Sequence, residues 1–175
     1  MGQLDQNWDK VLDLFYNYPS KSFQVREIGR LSKVSKTTVQ RILDDLLKKK
    51  IIILKRGAIY KNYTASVHCW KYVFLKKTYF VQRIYESGLV DYLQAKLHPH
   101  AIILFGSGAK GDYVAESDID IFVLGSVKEI DVRVFERKLK RNISLVIKES
   151  YTDLSTELFN NIINGVKLGG YIKIR

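Results

Sequence analysis

A single cysteine, Cys69, in a chain of 175 residues excludes an internal disulfide. Only three histidines are present, His68, His98 and His100, and Pro99 breaks any helix that would join the last two. No Cys/His set spaced for zinc exists, so any metal must be held by oxygen. Long apolar runs are also missing. Residues 51–54 and 101–105 are among the longest, far short of the roughly 20 that a membrane-spanning helix needs. The N-terminus has no apolar stretch behind basic residues, and Gln6 stands where a myristoylation motif requires Ser or Thr. Together these absences predict a cytoplasmic protein without a membrane partner.

Negative charge is the other shortage. Twenty-nine Lys and Arg face 18 Asp and Glu, a formal charge of +11. The excess is uneven: residues 1–64 carry +7, residues 65–100 carry +3 and residues 101–175 only +1. A basic N-terminal half suits a phosphate backbone, because cations near a duplex release condensed counterions. A lysine-rich surface also serves plain solubility, so charge needs a fold to mean more. With 46% hydrophobic residues the length allows two small cores. The division expected is residues 1–64, a connector over 65–88, and residues 89–175.

Trp8, Val11, Leu12 and Phe15 recur at helical spacing and stop before Pro19, while Val25, Ile28, Gly29 and Leu31 suit a short second helix. Ser35 is a good N-cap, and Val39, Ile42, Leu43, Leu46 and Leu47 then form one apolar stripe at i, i+3, i+4, i+7 and i+8. The opposite face begins with Lys36, Thr37, Thr38, Gln40 and Arg41, donors placed where a recognition helix meets bases and phosphates. Residues 51–54, a turn at Lys55, Arg56 and Gly57, and residues 58–64 with Ile59, Tyr60 and Tyr63 read as a basic-tipped hairpin.

This order, with residues 25–50 nearest the pattern, resembles the winged helix-turn-helix of many prokaryotic regulators. The resemblance implies double-stranded DNA as partner through Lys36, Thr37, Thr38, Gln40, Arg41, Lys55 and Arg56, or docking to a protein. By analogy with such regulators it also implies a homodimer. Two helices joined near Ser87 and Gly88 follow, the first with an aromatic-rich stripe of Trp70, Val73, Phe74, Val81 and Ile84. A stripe this apolar must be covered, by the rest of the chain or by a second copy.

The richest stretch is AIILFGSGAKGDYVAESDIDIFVLG. Residues 101–105 and 119–124 read as buried strands. Between them Gly106, Gly108 and Gly111 let backbone approach a ligand, and a helix opening after Gly106 would present free amides and the Ser107 hydroxyl to phosphate. Asp118 and Asp120 alternate with Ile119 and Ile121, so at a strand's period of two both carboxylates share one face. Hard oxygen ligands in that arrangement suit Mg²⁺ or Mn²⁺ bridging to substrate phosphates.

Gly-Ser, ten residues, then Asp-x-Asp, met by Gly106, Ser107, Asp118 and Asp120, resembles the signature of minimal nucleotidyltransferases of the DNA polymerase beta superfamily. The resemblance covers residues 89–175 and implies an α/β (α+β) fold, a mixed sheet with helices on one side. A helix over 132–140, a strand over 143–147 and a late helix before Asn164 belong to it. It implies Asp118 and Asp120 as catalytic metal ligands, and Gly106, Ser107, Lys110, Gly111 and Ser117 around a nucleoside triphosphate. One departure stands out. The family's third aspartate, on the next strand, falls here at Ser144, a weak neutral ligand and a poor base. Asp112, Glu116, Glu149 or a partner chain are the alternative carboxylates. Three functions follow: a nucleotidyltransferase, a nucleotide-responsive DNA-binding regulator with little turnover, and an antitoxin-like protein that modifies or sequesters a helical partner.

Overall fold

The computed structural model describes residues 3–55 and 60–173. Arg56, Gly57, Ala58 and Ile59, the expected hairpin tip, lie outside the described residues. The chain divides into two compact units, Met1–Lys76 and Lys77–Arg175.

The first unit opens with α1 (Gln3–Asn17), α2 (Val25–Ser32) and α3 (Lys36–Lys48). Ser35 caps α3 by accepting a hydrogen bond from the Thr38 amide, which satisfies one of the helix's orphan N–H groups. The apolar stripe of α3 is buried through Val39, Ile42, Leu43 and Leu46, against Val11, Leu12 and Phe15 of α1 and Ile28 of α2. Strands β1 (Ile52–Lys55) and β2 (Asn62–Ala65) pair antiparallel, Ile52 opposite Ala65 and Lys55 opposite Asn62. The second strand was expected from residue 58; Tyr60 and Lys61 precede it as irregular chain. Phe23 and Tyr63 exchange backbone hydrogen bonds of 2.8 Å in both directions, tying the α1–α2 connection to β2. The Phe23 ring meets Phe15 edge-on at 5.4 Å.

Helix α4 (Trp70–Ser87) follows. Its buried face runs through Tyr72, Lys76, Phe80 and Ile84 at intervals of four, while Trp70 and Phe74 are 70% and 60% exposed. The aromatic stripe expected to be covered thus shares only Ile84 with the fully buried face. At about 100° per residue the two sets are centred roughly 90° apart on the helix and overlap at Ile84. Within the first unit the Tyr72 hydroxyl donates to the Phe15 carbonyl at 2.9 Å, and burial pushes its proton affinity well up.

In the second unit, α5 (Leu89–Leu97) ends at His98 in the left-handed region, just before Pro99. The sheet comprises β3 (Ala101–Phe105), β4 (Ile119–Leu124), β5 (Ile143–Lys148) and β6 (Val166–Gly170), ordered β5-β4-β3-β6. Strand β4 is antiparallel to β3 and parallel to β5, and β3 is antiparallel to β6. The sheet is therefore mixed, as expected. The short helix α6 (Gly106–Lys110) links β3 towards β4, α7 (Arg133–Leu139) precedes β5, and α8 (Thr156–Ile163) precedes β6.

Helices on one side only were expected, yet every residue of β3 is buried. Since successive side chains of a strand face opposite ways, both faces of the sheet centre are covered. Ala101, Ile103, Phe105, Phe122 and Leu124 pack with Ile162 of α8. On the other face, Gln94 of α5 lies over Gly169 beside the Ile102 side chain. No helix among the described residues is long and apolar enough to cross a membrane.

Phe122→Ala, which opens a void at the centre of the second unit, is expected to cost about 3–5 kcal/mol in denaturant unfolding. Ser35→Ala, which removes the α3 cap, is expected to cost about 1 kcal/mol.

Candidate functional site

The apolar run of β3 ends where Gly106 turns the backbone. Its φ of +66° lies in the left-handed region, and a Cβ there would fall on the Asp120 Oδ2. Glycine is required twice over, for conformation and for the close approach of a carboxylate. Helix α6 then runs to Gly111, whose φ of +85° and hydrogen bond to the Ser107 carbonyl at 2.9 Å close the helix. The Gly111 amide is thus committed to this cap. Ser107 is half-buried, Lys110 is exposed, and the Ser107 hydroxyl makes no hydrogen bond among the described residues. Gly108 packs flat on the Phe80 ring, where a side chain would collide.

Asp118 and Asp120 sit at the start of β4. Ile119 and Ile121 are buried, Asp118 is exposed and Asp120 half-buried, as a period of two requires. Asp120 is in register with Phe105 on one side and with Ser144 on the other. Burial raises the Asp120 proton affinity, and the neighbouring Asp118 charge raises it further. A hydrogen bond from Ser144 works in the opposite direction. Asn142 donates to Asp118 Oδ1 at 3.2 Å. No lysine or arginine pairs with either carboxylate among the described residues.

The loop that delivers Asp118 is held by residues the motif does not mention. Arg141 Nη1 donates to the Val114 and Ser117 carbonyls at 2.6 and 2.7 Å. Its guanidinium lies 5.0 Å from the Tyr113 ring centre and 5.5 Å from that of Phe80. Phe80 and Tyr113 are themselves 4.3 Å apart. Ser117, expected at the nucleotide, uses its hydroxyl to accept the Val114 amide at 2.9 Å. Phe80 therefore supports both α6, through Gly108, and the Asp118 loop, through Tyr113 and Arg141. In the sequence Arg141 and Asn142 were visible only as the lead-in to Ser144; their signal was adjacency to a strand that pairs with β4.

The alternative third carboxylates divide by position. Glu149 follows the far end of β5, five residues beyond Ser144, or about 16 Å at ~3.3 Å per residue. It cannot serve the same metal. Among the described residues no group of three or more His, Cys, Asp and Glu is placed to hold a metal ion. Neither Asp112 nor Glu116 therefore completes a triad with Asp118 and Asp120.

On the outer side of Asp118 lies a cavity of about 650 Å³, lined by residues 115–118, by Asp131, Arg133, Val134, Glu136, Arg137 and Lys140, and by Arg141 and Asn142. The sequence reading had assigned no role to Arg137 or Lys140.

In the first unit, Lys36, Thr37 and Arg41 are exposed at the start of α3 without a hydrogen bond or ion pair among the described residues. Thr38 and Gln40 are engaged within the helix: Thr38 Oγ1 with Ser35 Oγ at 2.9 Å, and Gln40 Nε2 with Asp44 at 2.9 Å. Lys55 is exposed at the end of β1. Arg56 lies outside the described residues.

Residues 88–168 match the family described as Polymerase beta, Nucleotidyltransferase. The chain is also 48% identical over 63 residues to a protein of Methanocaldococcus jannaschii named "Putative protein adenylyltransferase MJ0604". That stretch is 36% of this chain, and it spans 61% of the relative's length. The second unit is thus similar to a polymerase beta-type nucleotidyltransferase over the segment that holds Gly106, Ser107, Asp118 and Asp120, which supports the nucleotidyltransferase part of the resemblance seen in the sequence.

Proposed function

We propose that the chain is a divalent-metal-dependent nucleotidyltransferase that moves an adenylyl group from ATP to a hydroxyl of a protein. The observation that carries this reading is Asp120 seated against the backbone of Gly106, with Asp118 beside it and no lysine or arginine paired with either among the described residues. Two adjacent carboxylates without a lysine or arginine partner fit a hard cation. Mg²⁺ is commonly held by one or two carboxylates with phosphate oxygens and water completing its octahedron. Asp118 and Asp120 would hold Mg²⁺ or Mn²⁺, which supplies charge neutralisation for the triphosphate and the departing pyrophosphate. The first-turn amides of α6, the Ser107 hydroxyl and Lys110 would orient the phosphates. The name of the Methanocaldococcus jannaschii relative supports adenylyl transfer and a protein acceptor.

The acceptor oxygen attacks the α-phosphorus and forms the new O–P bond, the bond from that phosphorus to the bridging oxygen breaks, and pyrophosphate leaves. The hydroxyl proton passes to water, because Ser144 offers no base where a carboxylate would stand beside Asp120. Asn142 orients Asp118, Ser144 orients Asp120, and the Arg141 clamp keeps the loop between them and Tyr113 in place.

Asp118→Ala and Asp120→Ala are each expected to lower transfer, followed as pyrophosphate release, by at least about a thousandfold without unfolding the domain. Full activity in either variant would end the assignment. Ser144→Asp is expected to raise kcat by on the order of a hundredfold, as a general base contributes.

A pH test follows from the raised proton affinity of Asp120. Its folded pKa lies above its unfolded one, so the folded state binds the proton more tightly. Without metal, stability is therefore lost as pH rises through the interval between those two values. Asp120→Asn is expected to unfold at higher temperature than the unsubstituted protein at neutral pH. The difference should vanish below about pH 4, the ordinary carboxylate range, and shrink when Mg²⁺ is added.

For the first unit we propose a winged helix that binds double-stranded DNA through Lys36, Thr37 and Arg41 at the start of α3, with Lys55 at the end of β1. The three exposed side chains without intramolecular partners, on a unit rich in positive charge, support this reading. Lys36→Ala and Arg41→Ala are each expected to weaken duplex binding and to reduce its salt slope by about 1. An unchanged slope would point to protein docking instead.

A further inference from the structure

We propose that the cavity beside Asp118 receives the acceptor, and that Arg137 and Lys140 select a hydroxyl-bearing residue flanked by acidic side chains. This rests on the adenylyl-transfer reading for its chemistry, though not for its binding partner. Three observations carry it.

The first is placement. The cavity wall includes Asp118 but neither Asp120 nor any residue of α6. A nucleotide whose phosphates lie over α6 leaves this space free, with Asp118 shared between the two sides. That is the geometry an acceptor needs to meet the α-phosphorus.

The second is the state of the charges. Asp131 is bound by Arg133 at 2.7 and 2.9 Å, and these bonds hold its carboxyl down at about 2. Glu136 Oε1 accepts the Ile143 amide at 3.0 Å, and Arg141 is committed to two carbonyls. Arg137 and Lys140 are left as exposed cations without a hydrogen bond or ion pair among the described residues. They stand on and just after the last turn of α7 and line the same cavity as residues 115–118. Arg137 also helps hold the Asp131 carboxyl down, and two exposed cations on the wall that carries Asp118 are a recognition element for anionic groups.

The third is the mixture of signs. Glu116, Asp118, Asp131 and Glu136 share the wall with Arg133, Arg137, Lys140 and Arg141. A phosphodiester chain meets repulsion from such a wall at several points, because nucleic-acid grooves are predominantly basic. A short peptide can instead set carboxylates against Arg137 and Lys140 and keep its hydroxyl next to Asp118. About 650 Å³ accommodates one large side chain with its flanking backbone.

The test is binding of a fluorescein-labelled Glu-Glu-Tyr-Glu-Glu peptide to the full chain, read by anisotropy, with MgATP binding measured calorimetrically on the same samples. Arg137→Glu/Lys140→Glu is expected to weaken the peptide at least tenfold and leave MgATP affinity within twofold. The charge-matched control Lys128→Glu/Lys167→Glu, outside the cavity, is expected to leave the peptide unchanged, whereas Val134→Trp, which fills the cavity, is expected to weaken it. A Lys-Lys-Tyr-Lys-Lys peptide should prefer the Arg137→Glu/Lys140→Glu protein. Peptide affinity unchanged by that pair, or lowered equally by the control, would overturn the proposal. So would single-stranded RNA displacing the peptide and losing affinity in the same variant. Loss of MgATP binding in the unsubstituted protein would remove the nucleotidyl-transfer reading while leaving the peptide result intact.

Discussion

A pair of neighbouring carboxylates held at the end of an apolar sheet is the constraint on which the rest of the second unit depends. Strand β4 is buried along almost its whole length, yet Asp118 and Asp120 stand at its start, and among the described residues no lysine or arginine pairs with either. Such a pair persists only where the surrounding structure holds it in place. The devices that do so are specific: the missing side chain at Gly106, the in-register hydroxyl of Ser144, and the Asn142 amide on Asp118.

The same constraint explains why aromatic residues outside the motif matter. Phe80 packs under Gly108 and against Tyr113, and Arg141 lies over both rings while gripping the carbonyls of Val114 and Ser117. One aromatic-cation stack thus supports both the short helix α6 and the loop that presents Asp118. Weakening any member would shift two halves of the site at once, and a small shift in such a site is costly in rate.

The first unit works on a different principle. Its buried apolar residues come from α1, α2, α3 and both strands, which pack on one another, and Lys36, Arg41 and Lys55 are exposed on its surface. Of the five polar positions at the start of α3, Lys36, Thr37 and Arg41 make no side-chain hydrogen bond or ion pair among the described residues. Ser35 and Asp44 engage Thr38 and Gln40. Local side-chain hydrogen bonds of this type compete with intermolecular ones, so a helix's polar face overstates the donors it offers.

Much of this was legible in the sequence because it depends on local periodicity. Strands β3 and β4 occupy the residues their apolar runs predicted, α3 starts at its Ser35 cap, and Ser87 and Gly88 separate α4 from α5. Ser144 was placed opposite the Asp-x-Asp strand, and its register with Asp120 follows. By itself, then, the sequence determined the two carboxylates, the glycine turn and the substitution at Ser144, since each is set by spacing along one strand or loop. Only the tertiary structure decided which face of α4 is buried, that both sides of the sheet are covered, that Glu149 is out of reach, and that Arg141, Asn142, Arg137 and Lys140 gather around Asp118. Those outcomes depend on strand order and on the packing of segments distant in the chain, and no local pattern encodes which segments will be neighbours.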